Sequence, residues 1–133
     1  MSPPAFLDTG AIYALTDRND ADHESVRAVY LDAERRFVTH DLILVEAFSL
    51  LTKRLHKRAA IQTVGALRAS LKIEIVPVQA DLLEAAWVRC ERYADKDWDW
   101  IDCTSFELME RRGLREALSL DHHFVQAGFV ALA

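Results

Sequence analysis

Short apolar segments alternate with longer helical segments along this chain, and this alternation restricts the possible folds more than any other feature of the sequence. The predicted strands are residues 5–8, 36–40, 72–78 and 116–120, and residues 129–133 could add an edge strand. The predicted helices are residues 10–16, 22–35, 41–56, 59–71 and 79–94, followed by a helix that ends at Arg112. Strands that alternate with helices favour a mostly parallel sheet with helices on both faces. The predicted fold class is therefore α/β.

Two of the predicted helices have clear boundary signals. Asp41 precedes an apolar segment and fits the N-cap of the helix over residues 41–56, because a short acidic side chain can accept a hydrogen bond from a first-turn amide. Gly113 follows two arginines and fits the left-handed residue that ends a helix.

The composition limits the classes of protein that the chain can belong to. Its 133 residues predict one domain over residues 1–133, and a hydrophobic content of 51% argues against disorder. With a formal net charge of −5, a nucleic acid would have to be held by a local basic patch or by metal ions on acidic residues. Cys90 and Cys103 fit no zinc or disulfide pattern and are interpreted as small buried residues. With no leader and no apolar stretch of about 20 residues, we expect a cytoplasmic protein.

Two acidic residues lie where predicted strands end. Asp8 ends the first strand segment, and Asp121 directly follows residues 116–120. The carboxyl ends of parallel strands meet at one edge of a sheet, which is where ligands bind in open α/β folds. Each residue could instead cap the helix that follows it. The pair therefore suggests a site at that edge without excluding two helix caps.

Glu46 interrupts the apolar segment LILVEAFSLL. At helical spacing it lies between Leu42 and Leu50. A carboxylate among apolar side chains needs a partner, because burial of an unpaired charge is costly. Ser49 and Lys53 share that side of the helix, so a narrow polar stripe is the competing interpretation.

The segment DKDWDWIDCTSFELM, residues 95–109, contains four further aspartates. Asp99 and Asp102 are spaced like a capping box at a helix start. Asp102 would share one helix face with Phe106 and Met109, so we expect it to point inward. Asp95 and Asp97 are expected to face solvent.

Together these acids predict a metal site. Carboxylates held close to one another repel strongly, and a hard divalent cation removes that cost. Mg²⁺ and Mn²⁺ prefer carboxylate and water oxygens. Such a centre suits phosphodiester hydrolysis, because a bound metal activates water and stabilises the charge that develops on the phosphate.

Four segments of the chain also resemble a known family, the PIN domain, which is the nuclease fold of the VapC-type toxins. The segments are FLDTGAIYAL, HDLILVEAFSLL, DWIDCTSFELMERRG and ALSLDHHFVQAGF, and the resemblance runs from about residue 5 to residue 129. It implies one three-layer α/β/α domain with a five-stranded parallel sheet. It also implies an endoribonuclease that depends on Mg²⁺ or Mn²⁺.

The resemblance assigns roles to individual residues. The acidic quartet of the family is matched by Asp8, Glu46, Asp102 and Asp121. Thr9 matches the hydroxyl after the first acid, and Ser119 stands where the family often has threonine. Asp99 replaces a small polar residue of the family. It could join the metal site, but the helix cap is the favoured interpretation.

The resemblance further implies a toxin of a toxin–antitoxin pair. Its antitoxin would lay a C-terminal segment across the active site, and PIN proteins commonly pair into homodimers. Some PIN domains act in RNA processing instead, so that role stays open.

Basic and aromatic residues could bind RNA. The densest basic stretch is KRLHKR, with Lys53, Arg54, Lys57 and Arg58, and it is predicted to follow Glu46 on the same helix. It could bind phosphates or simply be a solvated helix end. The same two interpretations, phosphate binding or a solvated helix end, apply to Arg111, Arg112 and Arg115. Trp98 and Trp100 could stack on bases, although packing is favoured.

Two histidines directly follow Asp121 in the sequence. His122 and His123 lack the further ligands that a zinc site needs, so His123 is expected to pack under the site and His122 to lie near its rim.

Two other functions are alternatives to a metal-dependent nuclease. A phosphatase with an Asp8 nucleophile would need a second aspartate where Gly10 stands. A non-catalytic α/β binding module would keep the acids for stability alone.

Overall fold

The computed structural model describes residues 3–133, which contain one five-stranded sheet in which every neighbouring pair is parallel. Its strands are β1 (Ala5–Leu7), β2 (Phe37–His40), β3 (Ile73–Val76), β4 (Glu116–Leu118) and β5 (Val130–Leu132). The order across the sheet is β3-β2-β1-β4-β5. From β1 the chain adds β2 and then β3 on one side of that strand, and β4 and β5 follow on its other side. This reversal point between β1 and β4 is where open α/β folds form ligand sites.

Seven helices connect these strands within residues 3–133. They are α1 (Thr9–Thr16), α2 (His23–Tyr30), α3 (Asp41–Arg54), α4 (Lys57–Ala69), α5 (Ala80–Arg92), α6 (Trp100–Arg112) and α7 (His123–Gln126). Helix α3 contacts α1 and α4, whereas α5 packs mainly on α6. Right-handed crossovers put these two groups on opposite faces of the sheet, because the chain reverses direction between them. The predicted α/β/α fold with a five-stranded parallel sheet is confirmed. None of the helices within residues 3–133 is long and apolar enough to cross a membrane.

The middle of the sheet is buried on both faces. All three residues of β1 are fully buried, as expected for a strand covered by helices on each side. The Phe6 ring packs against His40 at a centroid distance of 5.7 Å and against Phe124 at 5.8 Å. Phe124 also meets Phe106 of α6 edge to face at 5.0 Å. This aromatic cluster fixes α6 and α7 against the central strand.

Several helix ends differ from their predicted positions. Helix α3 is capped by His40 rather than Asp41, because the His40 Nδ1 atom accepts a hydrogen bond from the Ile43 amide at 3.3 Å. Asp41 is the first helical residue instead, and its carboxylate accepts a bond from the Val78 amide at 3.1 Å. Helix α2 ends at Tyr30, well before residue 35. The predicted stop after α6 is confirmed, since Gly113 has a φ of 65°.

Candidate active site

An acidic cavity of about 390 Å³ lies at the reversal point of the sheet. It is lined by Asp8, Thr9, Gly10, Glu46, Asp97, Asp99, Asp102, Leu120, Asp121 and His123. The four acids of the predicted quartet thus come together from the residue after β1, from α3 and α6, and from the loop after β4. No lysine or arginine is among these lining residues, so the described wall of the cavity carries strongly negative charge.

Asp8 lies at the N-cap position of α1, but its side chain does not cap that helix. One carboxylate oxygen accepts a hydrogen bond from the Ser119 hydroxyl at 2.8 Å instead. The Asp8 amide donates to the Leu118 carbonyl at 3.1 Å, which fixes the residue against β4. Burial raises the pKa of Asp8 to about 7, with smaller contributions from the charges of Asp102 and Asp121. The cap interpretation is therefore wrong for this side chain, which faces the cavity.

Glu46 is half-buried on α3 and faces α1. The Thr9 hydroxyl donates a hydrogen bond of 2.5 Å to its Oε1 atom. This contact joins residues that are 37 positions apart and explains how a carboxylate is accommodated within an apolar helix segment. Thr9 thereby orients Glu46 toward the cavity.

Asp99 and Asp102 form the capping box that the sequence predicts at the start of α6. The Asp99 carboxylate accepts from the Asp102 amide at 2.8 Å, and the Asp102 Oδ2 atom accepts from the Asp99 amide at 3.1 Å. Burial raises the pKa of Asp102 to about 6, and repulsion from Asp99 and Asp121 contributes to that rise. Asp99 is exposed and Asp102 is half-buried, so Asp102 is the carboxylate of the capping box that lies deeper in the cavity.

His123 contributes to the cavity more directly than the sequence analysis predicted. Its Nδ1 atom lies 3.1 Å from the Asp102 Oδ2 atom and 3.2 Å from the Asp121 Oδ1 atom. The Asp121 amide donates to the Ser119 hydroxyl at 3.1 Å, and the same carboxylate accepts from the His123 amide at 3.0 Å. One ring therefore bridges two carboxylates that come from α6 and from the loop after β4.

The position of His122 agrees with its predicted place at the rim, because its side chain is 75% exposed. Ligand atoms of Asp121, His122 and His123 lie within 4.8 Å of one another. Asp97 was predicted to face solvent, and it is exposed as expected, but it also lines the cavity. The spacing of His123, two residues after Asp121 in a tight turn, is the sequence signal that could have placed its ring in the site.

The predicted RNA-binding residues lie outside the lining of the cavity. Lys53, Arg54, Lys57 and Arg58 are all exposed. The prediction that they share the Glu46 helix is wrong for the last two, because α3 ends at Arg54 and α4 begins at Lys57. Arg111 and Arg112 form ion pairs with Asp81 at 2.9 Å and with Glu74 at 2.7 Å, so these two arginines serve surface packing.

The two tryptophans of this region differ in exposure. The Trp98 ring is buried and its indole N–H donates to Gln126, as its packing interpretation predicts, whereas Trp100 is 46% exposed. Both cysteines are free thiols. Cys103 is buried and Cys90 half-buried.

The chemistry of the lining residues fits a hard divalent cation. Buried Asp8 and half-buried Asp102 hold their protons more tightly than ordinary carboxyls, because burial and mutual repulsion disfavour four negative charges in one cavity. A divalent cation bound among these oxygens would remove that repulsion. Carboxylate oxygens with few nitrogen neighbours suit Mg²⁺ or Mn²⁺ better than softer metals.

A parallel five-stranded sheet with an acidic cavity at its reversal point is the arrangement of a PIN domain, and the chain belongs to that family: the PIN domain model matches residues 5–130. More particularly, the chain is similar to the 23S rRNA-specific endonuclease VapC20 of Mycobacterium tuberculosis. The two are 33% identical over 125 residues, which cover 94% of this chain and 95% of that protein.

Solved structures agree with this assignment. The crystal structure of Mycobacterium tuberculosis VapC20, described as a Sarcin-Ricin loop cleaving toxin, matches with a TM-score of 0.90 and 31% identity over 96% of this chain and 98% of that one. The VapBC2 structure from Rickettsia felis matches with a TM-score of 0.70 at 11% identity, over 98% of each chain. FitAcB from Neisseria gonorrhoeae matches with a TM-score of 0.65 at 18% identity, over 96% of this chain and 94% of that one. These last two establish the shared fold alone.

The comparisons confirm the predicted family and the predicted enzyme class. The chain is a PIN domain nuclease whose relatives include a VapC-type ribonuclease toxin. The phosphatase alternative finds no support, because position 10 is a glycine that lines the cavity where a second aspartate would be needed.

Proposed function

We propose that residues 1–133 act as one Mg²⁺- or Mn²⁺-dependent endoribonuclease domain, the toxin of a toxin–antitoxin pair. The observation that carries this proposal is the convergence of four carboxylates from distant parts of the chain into one cavity. Asp8 and Asp121 are 113 positions apart in the sequence, yet both line it. Carboxylates with raised pKa values gathered at a ligand-binding edge of a sheet are typical of a functional site rather than of a stabilising one.

In this proposal the metal is held by Asp8, Glu46, Asp102 and Asp121. A divalent metal at such a site supplies an activated water and a counter-charge for the phosphate. Thr9 and Ser119 orient the carboxylates of Glu46 and Asp8 through the hydrogen bonds described above. Asp99 supports Asp102 by capping α6. His123 bridges Asp102 and Asp121 and so keeps them at a fixed separation.

We further propose ribosomal RNA as the substrate class, with 23S rRNA as the first RNA to test. The support is the identity of 33% to an endonuclease named for that RNA. Lys53, Arg54, Lys57 and Arg58 would bind the RNA backbone, which compensates locally for the net charge of −5. The protein would act in the cytoplasm, where ribosomes are found.

The proposed partners are an antitoxin protein and a second copy of the chain. An open, mainly apolar cavity of about 350 Å³ between α3 and α4 supports a protein partner. It is lined by Asp41, Leu44, Val45, Phe48, Ser49, Val64 and Arg68. Val45 is 63% exposed, and an exposed apolar groove of this kind is typical of an interaction surface.

The experiment that tests the nuclease compares Asp8→Asn with Asp32→Asn. Both changes remove one carboxylate charge at nearly constant shape, but Asp32 is exposed in the turn before β2, at the opposite edge of the sheet. We expect Mn²⁺-dependent cleavage of purified 23S rRNA to be lost in Asp8→Asn and kept in Asp32→Asn. Cleavage would be mapped by primer extension, and circular dichroism would check that both variants fold.

Equal cleavage by both variants would refute the proposal. If the wild-type chain cleaves no RNA with either metal, and neither metal raises its melting temperature, the non-catalytic binding module is the better assignment. A nuclease that cleaves RNA but whose expression leaves growth unaffected would point to the RNA-processing alternative.

A further inference from the structure

Arg54 differs from the other basic residues at the end of α3. Its guanidinium carbon lies 5.1 Å from the centre of the Tyr13 ring, a cation–π contact between α3 and α1. Tyr13 is itself fixed, because its side chain is 8% exposed and its hydroxyl donates to Asp17 at 2.7 Å. The ring is therefore a rigid platform for the arginine.

This stack lies on the same helix–helix contact as the Thr9–Glu46 bond. Thr9 and Tyr13 are one turn apart on α1, and Glu46 and Arg54 are about two turns apart on α3. At 1.5 Å per residue, the eight positions between Glu46 and Arg54 correspond to about 12 Å along the helix axis. The seam between α1 and α3 thus begins at the acidic cavity and ends at a fixed cation.

The N–H groups of Arg54 are available to a ligand. Within residues 3–133, Arg54 forms no ion pair, whereas Arg89 and Arg112 both pair with glutamates. A planar fork of donors matches the oxygens of a phosphate.

We infer that Arg54, held against the Tyr13 ring, binds a backbone phosphate of the RNA that flanks the cleaved position along the α1–α3 seam. The inference rests on the proposed ribonuclease function and assigns the positioning of the substrate to one of its four proposed RNA-binding residues. A preordered side chain loses less conformational freedom when it binds than a mobile one does. Arg54 therefore contributes more to binding than Lys53, Lys57 or Arg58, which are exposed as Arg54 is but have no such platform in the described chain.

A purely structural role for the stack makes a different prediction. A cation near the last turn of α3 is favoured by the helix dipole, and its loss would lower stability without changing how RNA binding responds to salt. A phosphate contact, by contrast, releases counterions, so its loss reduces the slope of log K against log salt concentration by about 0.7 for single-stranded RNA. The salt slope separates the two roles.

The experiment measures RNA binding in the uncleaving Asp8→Asn background. A short fluorescein-labelled oligouridylate is titrated by fluorescence anisotropy at several KCl concentrations with Mg²⁺ held constant. We expect Arg54→Ala to lower the salt slope by about 0.7 and Arg54→Lys to keep the slope but weaken binding. Arg92→Ala is the control, because Arg92 is an exposed arginine of α5 with no ion pair in residues 3–133.

Variants of the platform complete the test. Tyr13→Phe keeps the ring and should bind as the background does, whereas Tyr13→Leu removes the ring and should weaken binding severalfold. An unchanged salt slope in Arg54→Ala overturns the inference, even if its melting temperature falls, and leaves the proposed nuclease intact. If the Asp8→Asn protein binds no RNA at any salt concentration, the inference fails, whereas the proposed nuclease is judged separately by the cleavage comparison of Asp8→Asn with Asp32→Asn.

Discussion

Asp8→Asn should stabilise the metal-free protein while it abolishes the proposed activity. Asp8 is 8% exposed, and the pKa of its carboxyl group is about 7 instead of 3.8. At about 1.4 kcal/mol per tenfold change in proton affinity, this difference corresponds to about 4 kcal/mol of lost stability once Asp8 is ionised. Asparagine carries no charge and can still accept the Ser119 hydrogen bond through its Oδ1 atom.

The effect has a defined pH dependence. Because the folded pKa lies above the unfolded value, the wild-type protein is most stable with Asp8 protonated and loses stability as the pH rises from about 4 to about 7. The Asp8→Asn protein does not lose stability in this way, because asparagine does not ionise. The difference between the two free energies of unfolding should therefore be near zero at the acid end, about 2 kcal/mol at pH 5, and about 4 kcal/mol at pH 8.

Urea unfolding in EDTA at several pH values measures this difference, and Asp32→Asn serves as the exposed control. Saturating Mn²⁺ should reduce or reverse the difference in the free energy of unfolding between the variant and the wild type. A metal at 100 times its Kd stabilises the wild-type protein by about 2.7 kcal/mol, and it would bind the variant poorly. A free-energy difference that stays constant from pH 5 to pH 8, or a variant that is less stable at pH 8, would refute the reasoning that burial of Asp8 is destabilising.

Three further predictions concern residues around the site. Ser119→Ala removes the hydrogen bond that lowers the pKa of Asp8, so the acidic limb of the cleavage–pH profile should move to higher pH, and an unshifted limb would contradict this. Asp99→Ala removes the α6 cap and should cost about 1 kcal/mol in urea unfolding, while Asp99→Ser restores it; loss of cleavage in Asp99→Ser would instead indicate a metal ligand. Gly113→Ala should cost about 1 kcal/mol in the same assay, because φ is 65° although a Cβ atom would meet no neighbour within 4 Å, and unchanged stability would argue against the left-handed stop.

Local signals predicted the parts of the fold and site that depend on neighbouring residues. The Asp99–Asp102 spacing predicted the capping box, and Gly113 predicted the helix stop. The position of Glu46 in an apolar segment predicted that its carboxylate needs a partner, and that partner is the Thr9 hydroxyl. The capping box and the helix stop depend on residues within one helix turn, and the need of Glu46 for a partner follows from the cost of burying a charge.

Long-range packing decided the features that the sequence did not predict. Asp41 has the chemistry of a cap, but His40 is fixed by Phe6 and Ser105 and takes that role. The bridge from His123 to Asp102 joins residues from different elements, so no local pattern predicts it. The Tyr13–Arg54 stack likewise depends on the way α1 meets α3.

The hydrogen bond between Ser119 and Asp8 joins residues that are 111 positions apart, and it has a consequence for synthesis of the protein. β4 joins the sheet beside β1, so the cavity has only part of its wall while β1, β2 and β3 are assembled. Asp121 and His123 complete that wall only after their stretch of the chain has left the ribosome. A nascent or truncated chain without β4 and the residues after it therefore has no complete acidic centre, and the four carboxylates come together only once β4 has joined the sheet.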